Sequence, residues 1–313
     1  MKTILITGGT GLVGSAIKTI SKDYNDKYNF IYLNRSDCNL LNYKDTLDYF
    51  IENKPDFVIH LAANVGGLFK NMENPVQMLE ENLLINLNVI KAAHFIKVEK
   101  LIACLSTCIF PDDINYPISE NDLHKGPPHF SNEGYAYSKR ILQTLCNSYN
   151  KQYGDKFVCI IPTNIYGPYD NFNLNDAHVI PALIHKCYLA KKNNTPFIVS
   201  GTGVPLRQFI YSEDLAKNIM WVLEEYNENE SIILSTDEED EISIGCVAKY
   251  IANNFDYDNS LEFDTTKSDG QYKKTASNQK FRQYNPTFCF SNIEKGVRDT
   301  VSWFKQIYPN IRK

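Results

Sequence analysis

Tyr135 and Lys139, in Tyr135-Ala-Tyr-Ser-Lys139, stand four residues apart, the spacing that puts two side chains on one face of a helix. An ammonium beside a phenol favours the phenolate and lowers its pKa. Such a pair can move a proton near neutrality. Tyr137 is a second phenol in the stretch, but no lysine follows it four residues on. Ser106 comes just after the apolar run 101–105, at the expected carboxyl end of a strand. A serine there faces the ligand crevice of an open α/β sheet and can hydrogen-bond a carbonyl oxygen as it becomes an alkoxide. Together these are a Ser/Tyr/Lys set for hydride and proton transfer at a carbonyl.

A glycine-rich turn supplies the partner chemistry. Thr7-Gly-Gly-Thr-Gly-Leu-Val-Gly14 carries G-x-x-G-x-x-G between an apolar run at 2–7 and the helical spacing of Leu12, Val13, Ala16, Ile17 and Ile20. Glycines here allow a tight turn, close approach of a diphosphate and packing of helix on strand. Gly8, Gly9, Thr10, Gly11, Leu12, Val13 and Gly14 are therefore expected to bind a dinucleotide. The second strand ends in Leu33-Asn34-Arg35-Ser36-Asp37. No carboxylate stands at the strand end to take a ribose 2′-hydroxyl. Arg35 can pair with a 2′-phosphate and Ser36 can hydrogen-bond it, which points to NADPH/NADP, while Asp37 leaves NAD open.

The elements that must position these groups follow an alternating order. Apolar runs at 2–7, 30–33, 57–62, 101–105 and 157–161 read as strands. Helical spacing falls at 12–20, 46–51, 82–96 and 135–153. This is the pattern of an α/β fold with a Rossmann-type doubly wound parallel sheet. Beyond Pro162 the pattern loosens into loops at 163–176 and 200–205. Apolar pieces at 209–211 and 232–235 can return to the sheet, and 243–254 and 291–307 read as helices. The expected division is an NADP-binding domain over 1–165, with returning segments near 209–235, and a smaller C-terminal substrate-binding α/β region over 166–208 and 236–313.

Composition narrows the function classes. The chain has 313 residues, 43% of them hydrophobic, enough for a sizeable core. A formal net charge of −5 leaves no basic footprint for nucleic acid, so an anionic ligand needs local Arg or Lys. No apolar stretch approaches the roughly 20 residues of a membrane helix, and the N-terminal run is too short for a signal peptide; the expected location is cytoplasmic. The eight cysteines form no C-x-x-C pair, so they are expected as free thiols, with no metal site.

Longer stretches carry a resemblance. These are His60-Leu-Ala-Ala-Asn-Val-Gly-Gly-Leu68, Ser106-Thr-Cys-Ile-Phe-Pro111, Gly126-Pro-Pro-His129, Pro162-Thr-Asn-Ile-Tyr-Gly-Pro168, Asp170-Asn-Phe172, His178-Val-Ile-Pro181 and Lys267-Ser-Asp-Gly270. On them the sequence resembles the extended short-chain dehydrogenase/reductase family over nearly its whole length. Within that family it is similar to the branch that epimerises a 4-keto-6-deoxy GDP-sugar at C3 and C5 and reduces it at C4 with NADPH. The resemblance implies that Cys108 is the base and His178 the acid of epimerisation, and that Ser106, Tyr135 and Lys139 serve the reduction. It assigns Lys139, Pro162, Thr163, Asn164, Ile165 and His178 to the cofactor. It assigns Asn132, Lys186, Ser200, Arg207, Asp269 and Lys274 to the GDP-sugar, and it implies a homodimer built on the helices 82–96 and 135–153. Read on its own, without the resemblance, Cys108 is better taken as a small buried thiol, since free Cys is usually buried and inert.

Ser200 departs from the pattern, since members of that family often place Trp before the Gly-x-Gly of the Arg207 loop. Loss of a stacking surface there removes about 0.5–1.5 kcal/mol. Two other readings stay open at this point. One is a 4-epimerase or 4,6-dehydratase of the same fold, although the Asp-Glu pair expected of the dehydratase is replaced by Thr107 and Cys108. The other is a catalytically silent NADP-binding protein, against which the intact Ser106, Tyr135 and Lys139 argue.

Overall fold

A computed structural model describes residues 1–269 and 271–312, apart from the side chains of Leu68 and Phe69; Gly270 of the Lys-Ser-Asp-Gly stretch lies outside the described residues. The first half runs β1 (Lys2–Thr7), α1 (Leu12–Ile20), β2 (Tyr28–Leu33), α2 (Tyr43–Asn53), β3 (Phe57–His60), α3 (Leu68–Glu73), α4 (Pro75–Phe95), β4 (Lys100–Cys104), α5 (Glu133–Tyr153) and β5 (Phe157–Pro162). The second half runs β6 (Asn164–Tyr166), α6 (Val179–Asn193), β7 (Phe197–Ser200), β8 (Leu206–Arg207), β9 (Phe209–Tyr211), α7 (Ser212–Glu224) and β10 (Ile232–Leu234). It closes with β11 (Ile242–Ser243), α8 (Ile244–Asn254), β12 (Leu261–Asp264), α9 (Gln279–Tyr284) and α10 (Ile293–Ile307).

Six strands make one parallel sheet in the order β2-β1-β3-β4-β5-β10. Its strands are apolar on both faces because both faces are covered. Leu5, Val58, Leu101 and Phe157 pack on one side with α2, α4 and α5. Ile4, Ile6, Ile59 and Ile102 pack on the other with α1 and α7. The chain leaves β1 for β2 on one side and returns to β3 on the other. That reversal opens a crevice at the carboxyl ends of β1 and β3, where open α/β sheets bind ligands.

A third cluster joins α6, α8 and α10 with the two-stranded ladder β7–β12. Of the two segments expected to return to the sheet, 232–234 does so as β10 beside β5. Segment 209–211 instead pairs with β6 in a separate parallel ladder. Only Thr163 separates β5 from β6, so β6 carries the chain out of the main sheet and takes β9 with it. The helix α6 was not read from the sequence. Pro181 looks like a breaker but sits in the first helical turn, where no intrahelical N–H is needed.

Candidate active site

The glycine turn closes tightly under the sheet. Gly8 has φ +71, and a Cβ on it would meet the Ala62 backbone nitrogen at 2.9 Å, at the end of β3. A Cβ on Gly14 would lie 2.6 Å from the Gly9 carbonyl, so the first turn of α1 rests directly on the loop. Gly9 faces Tyr32 rather than the crevice, and its N–H donates to the Leu33 carbonyl at 3.0 Å. Gly11 is the N-cap of α1 and has no side chain to cap the helix, whose first N–H groups and positive dipole end therefore face the crevice.

Gly8, Thr10, Gly11, Leu12, Val13 and Gly14, but not Gly9, line a crevice of about 1350 Å³ together with Arg35, Pro162, Thr163, Asn164 and Ile165. Arg35 is exposed at its rim. The Asp37 carboxylate turns back to accept from the Asn34 N–H at 2.9 Å, and the Ser36 hydroxyl donates to the Asn34 side chain at 2.5 Å. Both groups are thus engaged within the turn, and Arg35 is the residue of this turn left to meet a 2′-phosphate. An open helix N-terminus, a backbone stripped of Cβ atoms and a cation at the strand end fit a phosphorylated dinucleotide.

The same crevice brings Ser106, Cys108, Asn132, Tyr135, Lys139 and His178 together from β4, α5 and the start of α6. Ser106 caps the short turn that follows β4, its Oγ accepting from the Cys108 N–H at 3.4 Å. Lys139 is buried, with Nζ donating to the Cys104 carbonyl at 2.8 Å and lying 5.8 Å from the Tyr135 ring centre. From the four-residue spacing, Lys139 is expected to lower the Tyr135 pKa. The structure corrects this: burial holds the phenol well above its ordinary value, with the Cys108 and Cys104 thiols adding to the effect. Burial also draws Lys139 down. The crevice therefore keeps Tyr135 protonated, the form that can donate.

Burial pushes Cys108 up as well, opposed first by Lys274, then by the hydrogen bond with Ser106 and by Lys139. His178 presents open surface to the crevice but is crowded by its walls, and burial lowers its pKa against the pull of Asp176. Behind these groups runs a buried relay that the sequence reading did not single out. Thr7 Oγ1 meets His60 Nδ1 at 2.8 Å, His60 Nε2 meets Asn86 Oδ1 at 3.0 Å, and Asn86 donates to the Ser138 carbonyl at 3.3 Å. Burial holds His60 down at about 3, with Lys139 reinforcing it, so the relay stays neutral while it ties β1 and β3 to the residue before Lys139.

The residues expected at the substrate end are less concentrated. Arg207 lines the crevice, and Nη1 donates to the Leu206 carbonyl at 2.6 Å. Lys274 lies outside the crevice lining but within electrostatic reach of Cys108 and Arg207. Lys186, on α6, and Ser200, at the end of β7, do not line the crevice. Asp269 binds Thr202 instead, accepting its N–H at 2.8 Å and its hydroxyl at 2.6 Å. Conversely, Asn39, Lys70, Asp170 and Arg312 line the crevice, and no sequence signal points to a role for any of them. Among the described residues no cluster of His, Cys, Asp and Glu is arranged to hold a metal, and no helix is long and apolar enough to cross a membrane.

Comparison with known proteins places this geometry. The pattern of the NAD dependent epimerase/dehydratase family matches residues 4–235. GDP-L-fucose synthase of Dictyostelium discoideum is 51% identical over 100% of this chain and 98% of its own length. The probable GDP-L-fucose synthase of Drosophila melanogaster is 45% identical over 100% of both chains. The crystal structure of a GDP-L-fucose synthetase from Naegleria fowleri bound to NADP superposes with a TM-score of 0.96 and 47% identity, over 100% of this chain and 95% of that one. The chain belongs to the NAD dependent epimerase/dehydratase family, and within it aligns end to end with the GDP-L-fucose synthases.

Proposed function

We propose that the protein converts GDP-4-keto-6-deoxy-D-mannose to GDP-L-fucose, epimerising C3 and C5 and then reducing C4 with NADPH. The observation that carries this reading is the meeting of Ser106, Cys108, Tyr135, Lys139 and His178 in one crevice with the glycine turn. The C4 ketone acidifies the hydrogens at C3 and C5. Cys108 removes a proton as thiolate, and His178 returns one on the opposite face. Ser106 holds the C4 oxygen through the enolate and the reduction. The protonated Tyr135 then gives its proton to the C4 alkoxide. NADPH supplies the hydride to C4 when bound.

Arg207 is the cation placed to meet the GDP diphosphate inside the crevice, and Lys274 tunes Cys108 from behind. Lys186, Ser200 and Asp269 do not line the crevice and in this reading meet the nucleotide only where it extends beyond it, on the second region of the chain (166–208 and 236–313), while 1–165 with the returning β10 holds the cofactor. Val76, Leu84 and Leu87 on α4 and Ile141 on α5 are exposed apolar side chains on the two helices expected to pair in a homodimer. Eight free cysteines suit a reducing, cytoplasmic location.

The test is to incubate the protein with GDP-4-keto-6-deoxy-D-mannose and NADPH, follow loss of the reduced nicotinamide, and identify the sugar. GDP-L-fucose is expected from the natural sequence. From Cys108→Ser the expected product is an unepimerised sugar. NADPH loss with an unepimerised product from the natural sequence would leave a plain 4-reductase. No NADPH loss would reject this substrate.

A further inference from the structure

Arg312 lies 301 positions from Gly11 in sequence, yet it shares the wall of the crevice with Gly8, Thr10 and Gly11. Its Nη1 lies 3.8 Å from the point where a Cβ on Gly11 would stand. That point is the uncapped N-terminus of α1. The residue is held from behind: the Phe172 N–H donates to the Arg312 carbonyl at 2.9 Å, and Ile311 is buried in the third core cluster. The backbone of Arg312 is therefore anchored where the side chain enters the crevice wall.

A second observation meets it from the other side. Asp170 lines the same crevice and is 5% exposed. Its Oδ1 accepts from the Asn171 N–H at 2.7 Å, but its Oδ2 is buried without a hydrogen-bond partner. A buried carboxylate oxygen left unpaired costs free energy, which a cation nearby offsets. Burial raises the Asp170 carboxyl to about 7, opposed first by the Asn171 N–H and then by Arg312, the cation that acts on it.

We propose that Arg312 binds the diphosphate of the dinucleotide, opposite the N-terminus of α1, and that Asp170 positions it. A guanidinium has two donor edges, so one can face Asp170 while the other forks onto phosphate oxygens. The helix N-terminus and the guanidinium then hold one anion between them. The position selects the ligand, since Gly11 belongs to the cofactor end of the crevice whereas Arg207 serves the GDP end. The inference rests on the dinucleotide reading of the glycine turn.

Three ligands separate the possibilities by calorimetric titration: NADP, 2′-AMP, which lacks the diphosphate bridge, and GDP. Arg312→Ala is expected to weaken NADP about 10- to 100-fold, the loss of charged hydrogen bonds, and Arg312→Lys less. Binding of 2′-AMP and of GDP stays as in the natural sequence. Asp170→Asn weakens NADP several-fold and leaves 2′-AMP unchanged. NADP binding to Arg312→Ala within about twofold of the natural sequence overturns the inference. So does a parallel loss for all three ligands, which marks a merely structural role. Failure of the natural sequence itself to bind NADP overturns instead the dinucleotide reading.

Discussion

Substituting Gly14 by alanine tests the cofactor site at its tightest point. The new methyl would stand 2.6 Å from the Gly9 carbonyl carbon and oxygen and 2.7 Å from the Gly8 oxygen. Ordinary contacts lie near 3.5–4.0 Å, so backbone must move by about an ångström. All the atoms met are backbone of the phosphate turn, which has no flexible end to swing aside. Overpacking of this kind costs about 1–3 kcal/mol, against a helix-propensity gain of about 1 kcal/mol for Gly→Ala. The net change in stability is therefore small, at about 0–2 kcal/mol. The displaced turn loses its fit to the diphosphate, and NADPH affinity falls about 10- to 100-fold. Gly154→Ala is the matched control. Gly154 ends α5 at φ +74, and a Cβ there meets nothing within 4 Å. It carries only left-handed strain of about 1–2 kcal/mol, with no change in NADPH binding. Thermal melts and NADPH fluorescence titrations read both quantities. Normal NADPH affinity in Gly14→Ala, or an equal loss in Gly154→Ala, refutes the reasoning.

Arg35→Ala weakens NADPH about tenfold and leaves NADH unchanged, a modest value because the guanidinium is exposed; equal losses for both cofactors would remove Arg35 from the 2′-phosphate. Tyr135→Phe lowers C4 reduction by about 10²- to 10⁴-fold, while solvent deuterium still enters C3 and C5 of the substrate; if both stop, Tyr135 is not a reduction-specific acid. The epimerisation rate, read by that deuterium exchange, is expected to be flat over a pH range wider than the about 6.5 to 8.5 spanned by free imidazole and thiol, because His178 is lowered and Cys108 raised. Lys274→Met moves only the alkaline limb, to higher pH, by removing the largest force that holds the thiol down; an unmoved limb separates Lys274 from Cys108.

Much of the cofactor half was legible in the sequence because local chemistry dictates it. Ile4, Leu5 and Ile6 can only form a strand covered on both faces, and three glycines in a turn leave few other uses. The helix α7 was equally legible but unread: Leu215, Ile219 and Val222 recur at helical spacing and pack on the sheet beside α1. Pro181 hid α6. Arg312 carried no local signal at all, since a charge after an amphipathic helix looks like solvated surface until the fold brings it to Gly11. The direction of the Tyr135 shift was misread for a related reason. A four-residue spacing shows that Lys139 is a neighbour, but not that Lys139 is buried, that the half-buried Tyr135 keeps its hydroxyl in the crowded crevice, or that Lys139 spends a hydrogen bond on Cys104. Burial is a property of the whole fold, and here it outweighs the pair.

The same burial constrains how one pocket can invert two carbons. With the thiol raised and the imidazole lowered, the resting pair is uncharged, Cys108 as thiol and His178 as imidazole. In the proposed epimerisation the working pair is the thiolate with the imidazolium, which holds the same number of protons. Passing one proton between them needs no exchange with solvent, so the working fraction does not change with pH across the plateau. Below it both groups are protonated and no base remains; above it neither is, and no acid remains. After the first epimerisation the thiolate has gained a proton and the imidazolium has lost one, which returns the pair to its uncharged resting form. The second epimerisation can begin once that single proton crosses back. Lys274 favours the thiolate and Asp176 the imidazolium, so each partner of the charged form has an opposite charge behind it. A hydrophobic pocket alone would hold the pair uncharged; the two flanking charges keep the reactive form within reach.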